Sequence, residues 1–192
     1  MDLGAAAFPV AECSPKVLEG APVGRRYHRL LLDAPELSAR SRPGQFFHLL
    51  CRDGAGNGPY LRRPMSIWRC GEGEPLGFLF HVKGKGTTAL AGLRAGDALS
   101  VVGPLGVGFT LQATWRRILI VARGVGLATL APLTEAAATQ GIAVRALLSA
   151  QAPADLMTTE FVGRSGAEVQ AVFDEDGTSG VALVEAMLRA QW

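Results

Sequence analysis

The spacing of apolar residues changes near residue 116, and this change constrains the fold more than any other feature. Residues 118–122, ILIVA, form a continuous apolar run that is typical of a parallel strand buried on both faces. Two further strand-like runs follow, separated by residues at helical spacing. Three repeats of strand and helix indicate a parallel α/β sheet. The predicted strands are 117–122, 144–150 and 168–173, and the predicted helices are 129–140, 153–161 and 180–191.

The chain before residue 116 has a different pattern, which predicts antiparallel β structure. Short apolar or alternating runs are bounded by turn sequences such as Arg42-Pro43-Gly44. Closely spaced strands of this kind suggest an antiparallel barrel or sandwich. The predicted strands are 29–33, 45–51, 66–70, 76–82 and 98–102, with one short helix at 89–93. We therefore expect a β-barrel domain over residues 1–112 and a small α/β domain over residues 113–192.

Composition and charge exclude several classes of protein. Of the 192 residues, 48% are hydrophobic and 19% are charged, as expected of a folded chain rather than a disordered one. A net charge of +2 without runs of like charge gives no sign of nucleic-acid binding. No apolar stretch reaches the roughly 20 residues that a membrane span needs. The N-terminus has no basic segment ahead of its short apolar stretch, so we expect a cytoplasmic protein without a secretory signal.

The three cysteines, Cys13, Cys51 and Cys70, lie far apart in the sequence. None of them stands in a C-x-x-C pair or beside a histidine at ligand spacing, so local ligands predict neither a zinc site nor an iron–sulfur site. The odd number of cysteines also argues against a disulfide framework. We expect reduced, mostly buried thiols and no metal site.

Residues 61–67, LRRPMSI, place two arginines directly before a strand-like run. Because strands rise about 3.3 Å per residue, Arg63 and Ser66 lie roughly 10 Å apart along the chain. That separation suits a ligand with a charged end and a polar ring, such as a flavin nucleotide. The alternative is a solvated arginine pair at a strand entry with a buried serine, and these residues alone leave both interpretations open.

Three glycine-rich segments have compositions that suit a binding or linking role. In residues 83–88, KGKGTT, glycines and threonines stand at a possible helix start that could bind an anion, although a lysine-rich hairpin tip has the same composition. Residues 124–126, GVG, lie between a buried strand and a helix, which suits a dinucleotide pyrophosphate but also occurs as a simple tight turn. Residues 103–109, GPLGVGF, are too glycine-rich to predict a strand and could serve only as a linker between the domains.

These segments follow one another in an order that resembles the ferredoxin reductase superfamily. The order is Arg-Pro-Met-Ser-Ile, Gly-Lys-Gly-Thr, Gly-Pro-Leu-Gly-x-Gly-Phe, and a buried strand that enters Gly-x-Gly. Within the superfamily, the resemblance is closest to the iron–sulfur flavoprotein, or electron-transfer, subunits of NAD-linked dihydroorotate dehydrogenases. The segments 43–46, PGQF, and 173–177, FDEDG, agree with it, and the resemblance spans about residues 8–188.

The resemblance implies that the β barrel binds FAD and that a partial α/β domain receives NAD(P)H. Arg63 would pair with the FAD pyrophosphate and Ser66 would lie beside the isoalloxazine ring. The implied cofactor-binding residues are Arg63, Pro64, Met65, Ser66, Phe80, His81, Val82, Gly86, Thr87, Thr88, Gly124 and Gly126. The implied function is electron transfer between NAD(P)H and a partner redox protein or catalytic subunit. The alternative is a truncated, non-catalytic relative that serves as a binding or assembly module for another oxidoreductase.

Two departures from the family's pattern concern the nucleotide and the iron–sulfur segment. Arg123 follows Ala122 where the family has consecutive glycines, and its guanidinium would either crowd the pyrophosphate or contact it as a cation. The family's chain continues into a strand with a Cys-Gly-Pro turn and a cysteine-rich segment, whereas this sequence has no cysteine after Cys70. We therefore expect no 2Fe-2S cluster bound by this chain. His48 and His81 alternate with apolar residues, so we expect barrel-wall histidines rather than acid–base groups.

Overall fold

An antiparallel sheet forms the first part of the molecule. The computed structural model describes residues 10–52, 57–157 and 165–191. The seven strands of this sheet are Ala11–Cys13 (β1), Lys16–Val23 (β2), Tyr27–Asp33 (β3), Phe46–Leu49 (β4), Arg63–Arg69 (β5), Leu76–His81 (β6) and Val101–Leu105 (β7). They pair in the order β1-β7-β4-β5-β6-β3-β2 and form a half-barrel.

A parallel sheet forms the second part. Its strands are Arg117–Arg123 (β8), Ala143–Ala150 (β9) and Glu168–Phe173 (β10), paired in the order β10-β9-β8. The described helices are Pro35–Arg40 (α1), Lys85–Ala91 (α2), Leu127–Thr139 (α3) and Val181–Gln191 (α4). One-turn 3-10 helices occupy Gly124–Gly126 and Pro153–Asp155. The predicted combination of a β barrel with a parallel α/β sheet is confirmed.

Alternating side chains fill the interior of the half-barrel. Leu30 and Leu32 on β3, Phe47 on β4 and Phe78 on β6 are completely buried. Burial of an apolar side chain of this size contributes roughly 1.5–3 kcal/mol. The rings of Phe47 and Phe78 meet edge to face with their centroids 5.8 Å apart. Gly103 on β7 leaves room for the Phe47 ring, because a Cβ atom at position 103 would lie 2.3 Å from it.

A second core joins the two sheets. Leu79 on β6 alternates with the barrel-facing residues and is nevertheless buried, because it belongs to the same apolar cluster as Ile120 on β8. Trp68 on β5 packs against this cluster from the barrel side. An ion pair between Arg25 and Asp155, with 3.2 Å between the nitrogen and oxygen atoms, adds a polar link. The outer wall of the half-barrel therefore faces the parallel sheet and α3.

The predicted helix at 153–161 is wrong in its described part. The structure has one 3-10 turn at Pro153–Asp155, after which Leu156 is extended with φ −82° and ψ 118°. Residues 158–161 lie outside the described part of the chain. Tertiary contacts override the local helix preference, because Asp155 is buried beside Arg25 and Met157 is buried in the core that joins the sheets.

Several boundaries in the half-barrel also differ from the prediction. The strand predicted at 98–102 is Val101–Leu105, so Gly103 and Pro104 are strand residues and not part of a linker. Pairing with β1 on one side and β4 on the other holds this segment extended in spite of its composition. The helix predicted at 89–93 is Lys85–Ala91, and β5 begins at Arg63 instead of residue 66. The sequence pattern does not predict β1, β2 or α1.

Neither metal ligands nor a membrane span are found in the described part. The three cysteines are free thiols, of which Cys51 is buried while Cys13 and Cys70 are partly buried. Within residues 10–52, 57–157 and 165–191, no three His, Cys, Asp or Glu side chains converge on a possible metal position. No helix in those ranges combines the length and the apolar character needed to cross a bilayer.

Candidate functional site

The two adjacent arginines at the start of β5, Arg62 and Arg63, have different surroundings. The Arg62 guanidinium pairs with the Glu12 carboxylate and donates to the Ser100 hydroxyl at 2.9 Å and the Ser100 carbonyl at 3.1 Å. The Arg63 guanidinium donates only to nearby backbone, with 3.0 Å from Nη1 to the carbonyl oxygen of Leu61. No carboxylate in the described part of the chain accepts a bond from it. Arg63 is therefore the member of the pair whose charge remains available to an anionic ligand.

Cys51 joins Arg63 to the start of α2. Burial raises the pKa of the Cys51 thiol, and the neighbouring Arg63 opposes this rise through its charge and through a backbone N–H that donates to the sulfur. Gly86, in the first turn of α2, lies against the same residue, because a Cβ atom at position 86 would be 3.3 Å from the Cys51 Cβ. The structure thus brings together Arg63 and Gly86, two of the residues that the resemblance implies.

The first turn of α2 is closed by a threonine. The Thr87 hydroxyl accepts the backbone N–H groups of Lys83 at 2.9 Å and Gly84 at 3.1 Å, and donates to the Gly84 carbonyl at 3.0 Å. Thr87 therefore shapes the turn, whereas Thr88 is exposed. Lys85 and Thr88 line a groove of about 570 Å³ together with Gly84 and residues 57–58. The first N–H groups of any helix lack partners within the helix, so this groove has free donors at one end.

Arg63 and Ser66 lie on opposite faces of β5. Side chains alternate along a strand, and Met65 packs against the interior of the half-barrel. Ser66 and Pro64 therefore face outward, next to their cross-strand neighbours Phe46 and His48 on β4. The rings of Phe46 and His48 lie 5.6 Å apart. We call Phe46, His48, Pro64 and Ser66 the outer patch; a ligand that reaches both Arg63 and this patch must pass around the start of β5.

The implied residues of β6 also divide between two faces. Phe80 is buried in the barrel interior, so its side chain is not available to an outside ligand. His81 faces outward, with its ring 5.3 Å from that of Tyr27 on β3. Val82, just after β6, is half-buried and donates its N–H to the Arg26 carbonyl at 2.8 Å. Met65 and Phe80 thus support the barrel, and His48 and His81 lie on its outer wall.

Tyr27 connects the barrel wall to the glycine turn after β8. A Cβ atom on Gly124 would lie 3.0 Å from the Tyr27 hydroxyl, and Gly124 has φ +51°, where glycine is favoured. Gly126 has no atom within 4 Å of the position of a Cβ, so the turn is open in front of α3. The sequence pattern does not identify Tyr27 or Phe46 as site residues. Their only signal is the strand alternation that places them on the outward face.

The Arg123 guanidinium is held by the end of β9 and by the turn that follows β10. Its two terminal nitrogens hold the Asp174 carboxylate, and Nη1 also donates to the Ser149 hydroxyl at 2.7 Å. The Ser179 hydroxyl donates to the same carboxylate at 2.6 Å. These bonds from Arg123 and Ser179 lower the pKa of Asp174 to about 2. We call Arg123, Ser149, Asp174 and Ser179 the edge clasp.

Sequence comparison finds electron transfer subunits of dihydroorotate dehydrogenase B (NAD(+)) among the relatives of this chain. No family model matches the chain. The electron transfer subunit of dihydroorotate dehydrogenase B (NAD(+)) from Desulforamulus reducens is 34% identical over 166 residues, which cover 86% of this chain and 62% of that relative. The subunit of the same name from Bacillus caldolyticus is 32% identical over 163 residues, which cover 83% and 62%. The chain thus spans less than two thirds of the length of these relatives.

Solved structures share the fold. The NADH-dependent reduced ferredoxin-NADP oxidoreductase superposes with a TM-score of 0.75 and 25% identity, covering 92% of this chain and 63% of that one. A cytochrome P450 reductase from Amycolatopsis superposes with a TM-score of 0.69 and 24% identity, covering 95% and 66%; this second match shows the fold alone. The fold is therefore that of ferredoxin reductases, and the sequence relatives described above are electron transfer subunits of dihydroorotate dehydrogenase B.

Proposed function

We propose that this chain is an FAD-binding electron-transfer component that passes electrons between NAD(P)H and a partner redox protein or catalytic subunit. The observation that carries the proposal is the contact of both Arg63 and Gly86 with Cys51. Cys51 thereby links Arg63, whose guanidinium has no carboxylate partner among the described residues, to the first turn of α2. The names of the sequence relatives support the same function.

The residues around α2 fit the charged part of FAD. A pyrophosphate carries negative charge, and Arg63 and the exposed Lys85 supply positive charge near the helix start. Bonds between a guanidinium and a phosphate are among the stronger hydrogen bonds in proteins. The backbone N–H groups of Lys85 and Gly86 add donors, while Thr87 keeps the turn closed. In this proposal Arg63, Gly86 and Thr88 hold the pyrophosphate.

The outer patch fits the flavin ring. Phe46 and Pro64 offer apolar surface, and Ser66 and His48 offer polar atoms on the same wall. When bound there, FAD would supply the redox chemistry, namely two-electron acceptance from a nicotinamide and one-electron release to a partner. The side chains of the patch would bind and orient the ring, beside the core that Leu79 and Trp68 help to form on the same outer wall. Met65, which packs toward the barrel interior, offers no aromatic ring for stacking.

The nucleotide and the partner complete the proposal. The open turn Gly124–Gly126 before α3 is the place where backbone N–H groups and the helix dipole suit a dinucleotide pyrophosphate. The named relatives are subunits of dihydroorotate dehydrogenase B, so we propose a catalytic subunit of that kind as the electron partner. The free thiols fit a reducing compartment, and we propose the cytoplasm.

Binding of FAD to the purified chain tests the proposal. After incubation with FAD and desalting, we expect a yellow protein with the visible absorbance bands of a bound flavin at close to one FAD per chain. Protein that stays colourless after this treatment contradicts the proposal. For the loaded protein, an anaerobic titration with NADH and NADPH separates an electron-transfer component, whose flavin band bleaches, from a binding module, whose flavin band does not change.

A further inference from the structure

The edge clasp lies where an open parallel sheet binds nucleotides. In such sheets the ligand sits outside the carboxyl ends of the strands, with the pyrophosphate over the glycine turn after one strand and the ribose over the end of its neighbour. Here these two positions are Gly124–Gly126, after β8, and the end of β9. Ser149 stands at the end of β9 and is bonded to Arg123. A dinucleotide that reached both positions would therefore meet the Arg123 guanidinium.

The direction of the Arg123 side chain argues against a role as a phosphate ligand. Alternation along β8 places Ile120 and Ala122 on the side of α3, where both are buried in the core that joins the sheets. Arg123 is out of phase with Ala122 and projects from the opposite face. To reach a phosphate at the start of α3, its guanidinium would have to leave both Asp174 and Ser149.

The clasp also neutralises the charge of Arg123. The low pKa of Asp174 keeps its carboxylate ionised at neutral pH, so that the guanidinium already has a bidentate partner. While this ion pair is intact, Arg123 offers little net attraction to the pyrophosphate of a dinucleotide.

We infer that the edge clasp competes with the dinucleotide for the carboxyl edge of the sheet, and that Arg123 is the residue that weakens NAD(P)H binding in this chain. The inference rests on the proposed function, because it concerns the nucleotide site of that proposal. Arg123 acts by occupying the site, so it is a specificity-determining residue and not a catalytic one. When it is removed, Asp174 becomes free to accept a bond from a ribose 2′-hydroxyl and to repel a 2′-phosphate.

Calorimetric titration of the full chain with NAD⁺ and NADP⁺ tests the inference. We expect Arg123→Gly to bind NAD⁺ roughly five- to tenfold more tightly than wild type, since the exposed ion pair that is lost is of modest strength. The affinity of Arg123→Gly for NADP⁺ should rise by a smaller factor. Arg145→Gly is the matched control: Arg145 on β9 makes the same kind of exposed pair with Glu168 on β10, 2.9 Å between nitrogen and oxygen, at the opposite end of the parallel sheet. It should bind NAD⁺ as wild type does.

Arg123→Lys is a second variant, which tests the inference even if Arg123→Gly does not fold. A lysine keeps the charge but cannot hold both carboxylate oxygens and the Ser149 hydroxyl at once, so NAD⁺ affinity should lie between those of wild type and Arg123→Gly. The inference is overturned if both Arg123 variants bind NAD⁺ no more tightly than wild type, or if NADP⁺ gains more than NAD⁺. Because calorimetry needs no flavin, a chain that fails to bind FAD would contradict the proposed function while the competition by Arg123 is still measured.

Discussion

The guanidinium of Arg62 binds the carboxylate of Glu12, fifty residues earlier in the chain. Glu12 lies on β1 and Arg62 immediately precedes β5, so the pair fastens an edge strand to the middle of the antiparallel sheet. Ser100, just before β7, joins the same network. Arg63, the next residue, has only local backbone acceptors among the described residues. Arg62 therefore stabilises the fold, while the guanidinium of Arg63 remains available to a ligand.

Replacement by alanine should affect FAD affinity at Arg63 and thermal stability at Arg62. Arg63→Ala removes a charge-assisted bond to the FAD pyrophosphate, and we expect FAD affinity to fall by roughly tenfold or more with little change in melting temperature. Arg62→Ala removes the link to Glu12 and should lower the melting temperature while FAD affinity changes little. Fluorescence titration of FAD and thermal unfolding measure the two effects. Equal loss of FAD affinity in both variants would show that the arginines are not divided in this way.

Replacement by alanine should lower FAD affinity more at Gly86 than at Gly84, the two glycines at the start of α2. A methyl group at position 86 would lie 3.3 Å from the Cys51 Cβ, which is tighter than an ordinary contact, so Gly86→Ala should push the first turn away from Cys51 and Arg63. We expect FAD affinity to fall several-fold. Gly84→Ala is the control, because position 84 has no atom within 4 Å of a Cβ and an extended backbone, φ −147°, that alanine can adopt. If Gly84→Ala loses as much FAD affinity as Gly86→Ala, contact with Cys51 is not the cause.

Local sequence patterns predict the parallel sheet well because its strands carry continuous apolar runs, as in residues 118–122. Only one face of this run is buried, however, since Ile120 and Ala122 are buried and Val121 is exposed. They do not predict Val101–Leu105, since its Gly103 and Pro104 are held extended by neighbouring strands that come from distant parts of the chain. The same limit applies to the site. LRRPMSI and KGKGTT are recognisable as motifs, but their contact at Cys51 depends on packing. Arg123 attracts notice in the sequence, and only the fold shows that Asp174 is its partner.

The three thiols should differ in reactivity. Burial raises the pKa of Cys70 to about 12, and the charge of Glu135 adds to this rise. At pH 8 only about one Cys70 side chain in 10⁴ is then a thiolate, the reactive form. Burial also raises the pKa of Cys51 and of Cys13, but Cys51 is completely buried whereas Cys13 is only partly buried. We expect iodoacetamide to label Cys13 first and Cys51 and Cys70 only on unfolding, as peptide mass spectrometry would show. Early labelling of Cys70 in the native protein would contradict this.

The ion pair of Asp174 should make a stability contribution that depends on pH. The pKa of this carboxyl is lowered from 3.8 to about 2 in the folded chain, first by its bond from Arg123. A lowered pKa means that the pair stabilises the fold above the unfolded value, near 4, and that this contribution is lost as the pH falls toward 2. Asp174→Asn should therefore melt below wild type at pH 6, and the difference should shrink between pH 4 and pH 2. A difference that grows on acidification would reverse the expected sign.

The core that joins the two sheets should make them unfold together. Leu79 comes from the half-barrel but is buried with Ile120 and Ala122 of β8, so neither sheet buries its apolar surface alone. We expect one cooperative transition in wild type, reported alike by tryptophan fluorescence and by circular dichroism. Leu79→Ala should cost about 2–5 kcal/mol through lost burial and the cavity left behind. Leu30→Ala, in the interior of the half-barrel, should cost a similar amount while leaving the contact between the sheets intact. If the sheets are coupled through this core, only Leu79→Ala should make the unfolding transitions reported by fluorescence and by circular dichroism differ. Two well-separated transitions in wild type would show that the sheets are independent units.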